Sequence, residues 1–90
     1  MTFYDLKFGP RRMGLSGIQA AVFFSNGYGA SVIKGYGSYG VEDDLYELAV
    51  LKQEEDDSWE LCYDSGITDD VLGQLNEEEI TSYLQRIETL

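Results

Sequence analysis

The 90-residue sequence contains no histidine and a single cysteine, Cys62. The chain therefore lacks the commonest general base and the commonest metal ligand. One thiol cannot form an intrachain disulfide, and it cannot build a zinc site of cysteine and histidine within one chain. Without a histidine beside it, Cys62 is expected to be a small structural hydrophobe rather than a nucleophile. We therefore expect a protein that is not an enzyme and that needs no cofactor.

Long apolar runs are also missing from the sequence. No stretch approaches the roughly 18 consecutive apolar residues of a membrane-spanning helix. The first residues, Met1–Asp5, lack the basic start and the apolar run of a signal peptide. The lone cysteine gives no sign of an oxidising compartment, so we expect a cytoplasmic protein.

Positive charge is scarce and unevenly placed. The formal net charge is −11, from 6 basic and 17 acidic side chains. Residues 1–41 carry four basic and one acidic side chain, a net charge of +3, whereas residues 42–90 carry two basic and sixteen acidic ones, a net charge of −14. A field of this sign repels phosphate and attracts basic surfaces. We therefore expect a protein partner with a basic surface, and no direct contact with nucleic acid or membrane.

Apolar residues make up 43% of the chain, which is enough for a folded core in one domain of this length. Residues 1–16 contain Gly9-Pro10 and Gly14, which break any periodic pattern and predict an irregular N-terminal arm. Residues 17–90 are predicted to form a single α+β domain.

Four strands are predicted by alternating or β-branched segments. The first two flank Asn26-Gly27, a strong hairpin signal because both residues tolerate positive φ. The predicted strands are residues 17–24, 30–34, 45–52 and 59–63.

The last third of the chain has helical signals. Thr68 is predicted to cap a short helical turn that Gly73 ends. Asn76 with Glu79 resembles a capping box, and an apolar stripe follows it at helical spacing, formed by Ile80, Tyr83, Leu84, Ile87 and Leu90.

The element order predicts an antiparallel sheet of about four strands with a C-terminal amphipathic helix packed on one face. The other face of the sheet is then only partly covered. Phe23, Tyr36 and Tyr39 are candidates to lie on that second face.

Carboxylates occur in clusters within the acidic part of the chain. One interpretation is that they are ordinary solvated turns. Another is that they form a surface that imitates the phosphates of nucleic acid, since duplex DNA carries one charge per ~1.7 Å of its axis. On that hypothesis the partner-binding residues are Glu42, Asp43, Asp44, Glu54, Glu55, Asp56 and Asp57.

A third interpretation of the acidic clusters is a metal-dependent enzyme. Asp56-Asp57 or Asp69-Asp70 would hold Ca²⁺ or Mg²⁺ through oxygen. No segment has the spacing of an EF-hand loop, so we predict no metal site.

The segment Gly35–Gly40 has three glycines and two tyrosines in six residues. It lacks the Gly-Lys-[Ser/Thr] ending of a phosphate loop and does not lead into a helix. Its tyrosines, Tyr36 and Tyr39, either cover the sheet or form a contact patch for a protein partner. The alternative function is therefore a non-catalytic structural or regulatory interaction module, including the case of a homodimer.

Four segments, Asn26–Ile33, Gly37–Gly40, Leu45–Leu51 and Ile67–Gly73, together resemble a family of small acidic proteins encoded by tailed bacteriophages. The resemblance covers roughly residues 17–90. It implies a phage or prophage origin and a task directed at the bacterial host. By analogy with anti-CRISPR proteins and other DNA mimics, it implies an inhibitor in the host cytoplasm. Such an inhibitor would evade host defence by binding a CRISPR–Cas effector or a nuclease through its acidic surface.

Overall fold

The computed structural model describes residues 1–11, 16–35, 45–62, 66–67 and 72–90. Within these residues the protein is α+β, with an antiparallel six-stranded sheet and one C-terminal helix. The predicted fold class is confirmed, although the sheet has more strands than expected. The elements are a 3₁₀ turn at Phe3–Asp5, β1 (Gly9–Pro10), β2 (Ile18–Phe23), β3 (Tyr28–Lys34), β4 (Tyr46–Gln53), β5 (Trp59–Leu61), β6 (Leu72–Leu75) and α1 (Glu77–Glu88).

The strands lie in the order β1-β2-β3-β4-β5, and β6 also pairs with β4. β5 pairs with the last three residues of β4, where Leu51 lies opposite Leu61. β6 pairs with the first part of β4, where Tyr46 lies opposite Leu75. Two short strands therefore share one edge of β4, while β3 occupies the other edge.

The β2–β3 hairpin turns at Asn26-Gly27, as the sequence predicts. Gly27 has a φ of 84°, in the left-handed region that glycine adopts without a steric cost. Side chains of β2 alternate between the two faces, so that Ala20 is buried while Ala21 and Phe23 are exposed. This alternation separates a core face from a second face of the sheet.

β6 replaces the end of the short helical turn that was predicted up to Gly73. Leu72 and Gly73 are extended, and Leu72 lies opposite Leu48 of β4. The prediction was wrong for these two residues because β5 leaves the first half of β4 without a partner on that edge. Pairing there buries Leu75 to 5% exposure, which outweighs the low strand propensity of glycine. Residues 68–71, the rest of the predicted turn, lie outside the described residues.

Residues 1–11, in the segment predicted as an irregular arm, have little regular structure but pack on the domain. The side chains of Phe3 and Leu6 are buried in the core, and β1 adds to the edge of β2. Phe3 also donates its backbone N–H to Thr81 Oγ1 of α1 at 2.9 Å. The glycines and Pro10 do interrupt periodic structure, but burial of two large apolar side chains fixes the segment on the domain.

Helix α1 begins at the predicted capping box. Asn76 Oδ1 accepts from the Glu79 N–H at 2.8 Å, and Glu79 Oε1 accepts from the Asn76 N–H at 3.1 Å. The apolar stripe packs on the core face of the sheet, where Ile80, Leu84 and Ile87 have no exposed surface. Leu90, also expected on the stripe, lies past the helix end and is 41% exposed. No helix in the described residues has the length and apolarity needed to span a membrane.

The β2–β3 turn closes the C-terminal end of α1. Asn26 Nδ2 donates to the backbone oxygens of Ile87 and Glu88 at 2.9 and 3.1 Å, and more weakly to that of Leu90 at 3.3 Å. Its Oδ1 accepts from the Tyr28 N–H at 3.0 Å. One side chain therefore both fixes the turn and supplies a further donor to carbonyls at the C-terminal end of the helix, where the regular i to i+4 bonds run out.

We predict that Asn26→Asp lowers the free energy of unfolding by about 2 kcal/mol. The aspartate keeps the acceptor for Tyr28, but it removes the amide donor and places a negative charge at the negative end of the helix dipole. Urea denaturation would measure the loss. The matched control is Asn76→Asp at the other end of the same helix, where the cap acceptor is kept and stability should change little. Equal stability of the two variants would contradict this role of Asn26.

Candidate partner-binding site

The predicted acidic residues 54–57 form the turn between β4 and β5. The Glu54 N–H donates to Ser58 O at 2.8 Å, and the Asp57 N–H donates to Glu54 O at 3.0 Å. Asp57 adopts a φ of 67°, a left-handed conformation that Asp tolerates better than most residues. The backbone of the turn is therefore fixed by hydrogen bonds at both ends.

The carboxylate of Asp56 fixes the turn further. Its Oδ1 accepts from Ser58 Oγ at 2.6 Å and from the Ser58 N–H at 3.1 Å. The hydroxyl bond, and after it the backbone bond, hold the pKa of Asp56 below its usual value. Both donors bond to the carboxylate oxygen and stabilise its negative charge, so the charged form of Asp56 is favoured.

All four carboxylates of the turn are exposed to solvent. In the described part of the chain, none of them forms an ion pair. A shallow depression of about 350 Å³ lies beside the turn, and its lining includes four carboxylates. The lining residues are Glu54, Glu55, Asp56, Ser58 and Glu60. This surface offers acceptors and negative charge to a cationic group.

A second acidic group lies at the start of α1, where Glu77, Glu78 and Glu79 occupy the first turn. Tyr4 donates its hydroxyl to Glu77 Oε2 at 2.7 Å, and this bond raises the pKa of Tyr4. The start of α1 lies beside Tyr46, whereas the 54–57 turn follows Gln53 at the opposite end of β4. Seven residue steps along β4 separate the two ends by about 23 Å. The two runs of carboxylates in the described residues, 54–57 and 77–79, therefore lie apart and do not form one patch.

Several predicted site residues lie outside the described residues. They are Tyr36, Tyr39, Glu42, Asp43 and Asp44. Their assignment to the partner-binding site stays a prediction from the sequence. The alternative metal ligands Asp69 and Asp70 also lie outside the described residues.

In the described ranges, no group of three Cys, Asp or Glu side chains is arranged to hold a metal ion. Cys62 is 5% exposed and directly follows β5, where its N–H donates to Val50 O at 2.8 Å. Its thiol belongs to the core cluster.

The face of the sheet opposite α1 carries an exposed aromatic pair, of which the sequence predicted only Phe23. Phe23 was expected there and is 52% exposed. Its ring lies 4.6 Å from that of Trp59, measured between centroids, and Leu61 beside them is 49% exposed. Trp59 and Leu61 are two positions apart in the predicted strand 59–63, which places them on one face of the sheet without indicating which face. We call this surface, formed by the outward side chains of β2, β3, β4 and β5, the open face.

Comparison with known proteins finds no matching family model, no matching curated protein and no matching solved structure. The resemblance to small acidic phage proteins therefore stays a prediction.

We predict that Ser58→Ala raises the pKa of Asp56 towards the usual value for Asp, because the hydroxyl donor is lost while the backbone donor stays. The stabilisation from Asp56 is present above its unfolded-state pKa and is lost as the pH falls through its lower folded-state pKa. The variant should keep less of this stabilisation. NMR titration of the Asp56 carboxyl carbon measures the pKa directly, and Ser25→Ala, in the β2–β3 turn, is the control. An unchanged pKa in Ser58→Ala would show that the hydroxyl is not the cause.

Proposed function

We propose that this protein is a non-catalytic inhibitor that binds a basic, nucleic-acid-binding groove of another protein through the acidic 54–57 turn. The observation that carries the proposal is the fixed turn with four consecutive exposed carboxylates. The partner class follows from the charge, because grooves that bind phosphate are lined with lysine and arginine.

The organisation of the turn favours a specific contact over diffuse attraction. Backbone hydrogen bonds hold the turn, and Ser58 holds the carboxylate of Asp56. A turn that is already ordered loses less conformational entropy on binding than a mobile acidic segment does. Lysine and arginine side chains of a partner would then meet acceptors in a fixed arrangement.

The net charge of the whole chain adds long-range attraction. At −11, the chain is steered towards cationic surfaces and away from nucleic acid. A host nuclease or CRISPR–Cas effector, which the phage resemblance implies, is the first partner to test in the cytoplasm of a bacterial host. Inhibition would follow because the turn occupies the groove that nucleic acid needs.

We predict that the immobilised protein captures basic nucleic-acid-handling proteins from a bacterial host lysate at low salt, as identified by mass spectrometry. High salt should release them, because the contact depends on exposed charges. Added duplex DNA should also displace them, since it competes for the same groove. Capture that resists both salt and DNA would contradict the proposal.

For a partner identified in this way, the double variant Glu54→Gln with Glu55→Gln should weaken binding about tenfold or more and reduce its dependence on salt. The matched control is Glu77→Gln with Glu78→Gln, which removes the same charge at the far end of β4. If the two double variants weaken binding equally, net charge rather than the 54–57 turn determines affinity, and the site assignment is wrong.

A further inference from the structure

The open face has an aromatic ridge at one end. The rings of Phe23 and Trp59 meet although β3 and β4 lie between their strands. Gly29, opposite Phe23 on β3, has no side chain between the two rings and β3. A Cβ on Gly29 would lie 3.3 Å from the Phe23 ring and 2.4 Å from Val22 O. Glycine at this position therefore allows the close approach of β2 and β3 and leaves room beside the Phe23 ring.

A depression lies next to the ridge, towards the far end of the strands. Its volume is about 190 Å³, and its floor includes the small residues Ser31 and Ala49, which face each other across β3 and β4. Ile33, Glu47 and Leu61 complete its lining. The open face therefore carries a ridge and a depression side by side.

The open face is almost uncharged in a chain of net charge −11. By strand alternation, its outward positions on β2 to β5 include one charged residue, Glu47. A cationic partner, which suits the acidic turn, finds little to bind on this face. A neutral, largely apolar surface is complementary to another surface of the same kind, and a second copy of the chain supplies one.

The size of the open face fits a weak dimer. β2, β3, β4 and β5 have 6, 7, 8 and 3 residues. With about 3.3 Å per residue and strands about 4.8 Å apart, they give a surface of roughly 400 Å² before side-chain relief is counted. Stable complexes bury about 800 Å² per partner, and weak or transient ones bury less. The face can therefore support reversible association.

From this relief, charge and area we infer that two copies of the chain associate through their open faces. The two-fold axis would lie between the two sheets, parallel to them and perpendicular to the strands. It would place the Phe23–Trp59 ridge of each copy over the depression of the other. The same axis puts the two acidic 54–57 turns at opposite ends of the dimer, which keeps their repulsion small. A two-fold axis parallel to the strands would instead place the two ridges on each other and bring the two acidic turns together.

Salt should affect dimerisation and the binding of a basic groove in opposite directions. Two chains of net charge −11 repel each other, and salt screens that repulsion. The dimer should therefore strengthen as salt is raised, whereas the contact made by the 54–57 turn should weaken. The two associations can be tested independently, because failure of one leaves the other unaffected.

The test is sedimentation equilibrium of the full chain over a wide concentration range at low and high salt. We expect a monomer–dimer equilibrium that shifts to dimer with salt. Trp59 is the single tryptophan of the chain and reports on the open face. Its fluorescence should shift to shorter wavelength as the dimer forms and the indole loses contact with water.

Phe23→Thr and Leu61→Thr should each raise the dimer dissociation constant about tenfold or more. Two variants are used because Phe23 also packs on Trp59, and thermal unfolding shows whether each remains folded. Tyr4→Thr is the matched control, since Tyr4 is 79% exposed and lies outside the open face. A chain that stays monomeric at all concentrations and salt levels overturns the inference. A dimer that neither Phe23→Thr nor Leu61→Thr weakens also overturns it. The inference is equally wrong if the chain stays monomeric and its open face binds a different protein.

Discussion

The structure depends on the docking of one amphipathic helix on one face of the sheet. A helix of twelve residues is marginal in isolation, so α1 needs the sheet to be stable. Its three fully buried side chains, Ile80, Leu84 and Ile87, each contribute about 1.5–3 kcal/mol by burial. This gain offsets part of the conformational entropy that ordering the helix costs. Within the described residues, the one helix covers one face of the sheet, and Phe23 and Leu61 on the other face are about half exposed.

The placement of charge follows from the same arrangement. Carboxylates cannot lie on the face that α1 covers without a large desolvation cost. They are found instead in the β4–β5 turn, where water solvates them, and in the first turn of α1, where the helix dipole favours them. Because α1 starts beside Tyr46 while the acidic turn follows Gln53, these two positions fall at opposite ends of β4. The packing of the helix therefore places the 77–79 run far from the 54–57 turn.

Features set by neighbouring residues could be predicted from the sequence. The Asn26-Gly27 turn and the Asn76–Glu79 capping box depend on side chains within a few positions, and both are present. β6 could not be predicted, because its formation depends on an edge of β4 that the short β5 leaves open. Burial of Phe3 likewise depends on contacts with distant parts of the chain, including Tyr46. For the candidate site, the acidic turn was visible as a run of carboxylates, whereas the Phe23–Trp59 ridge requires strand register and a gap at Gly29.

The acidic turn and the open face are parts of the same β-hairpin. β5 has three residues paired with β4, which is a short ladder to hold a turn in place. The contact between Trp59 and Phe23 adds an aromatic interaction of about 0.5–1.5 kcal/mol beyond the area that it buries. That interaction ties β5 across the sheet to β2, immediately beyond the turn. The orientation of the four carboxylates therefore depends on the same indole ring that makes the neighbouring face apolar.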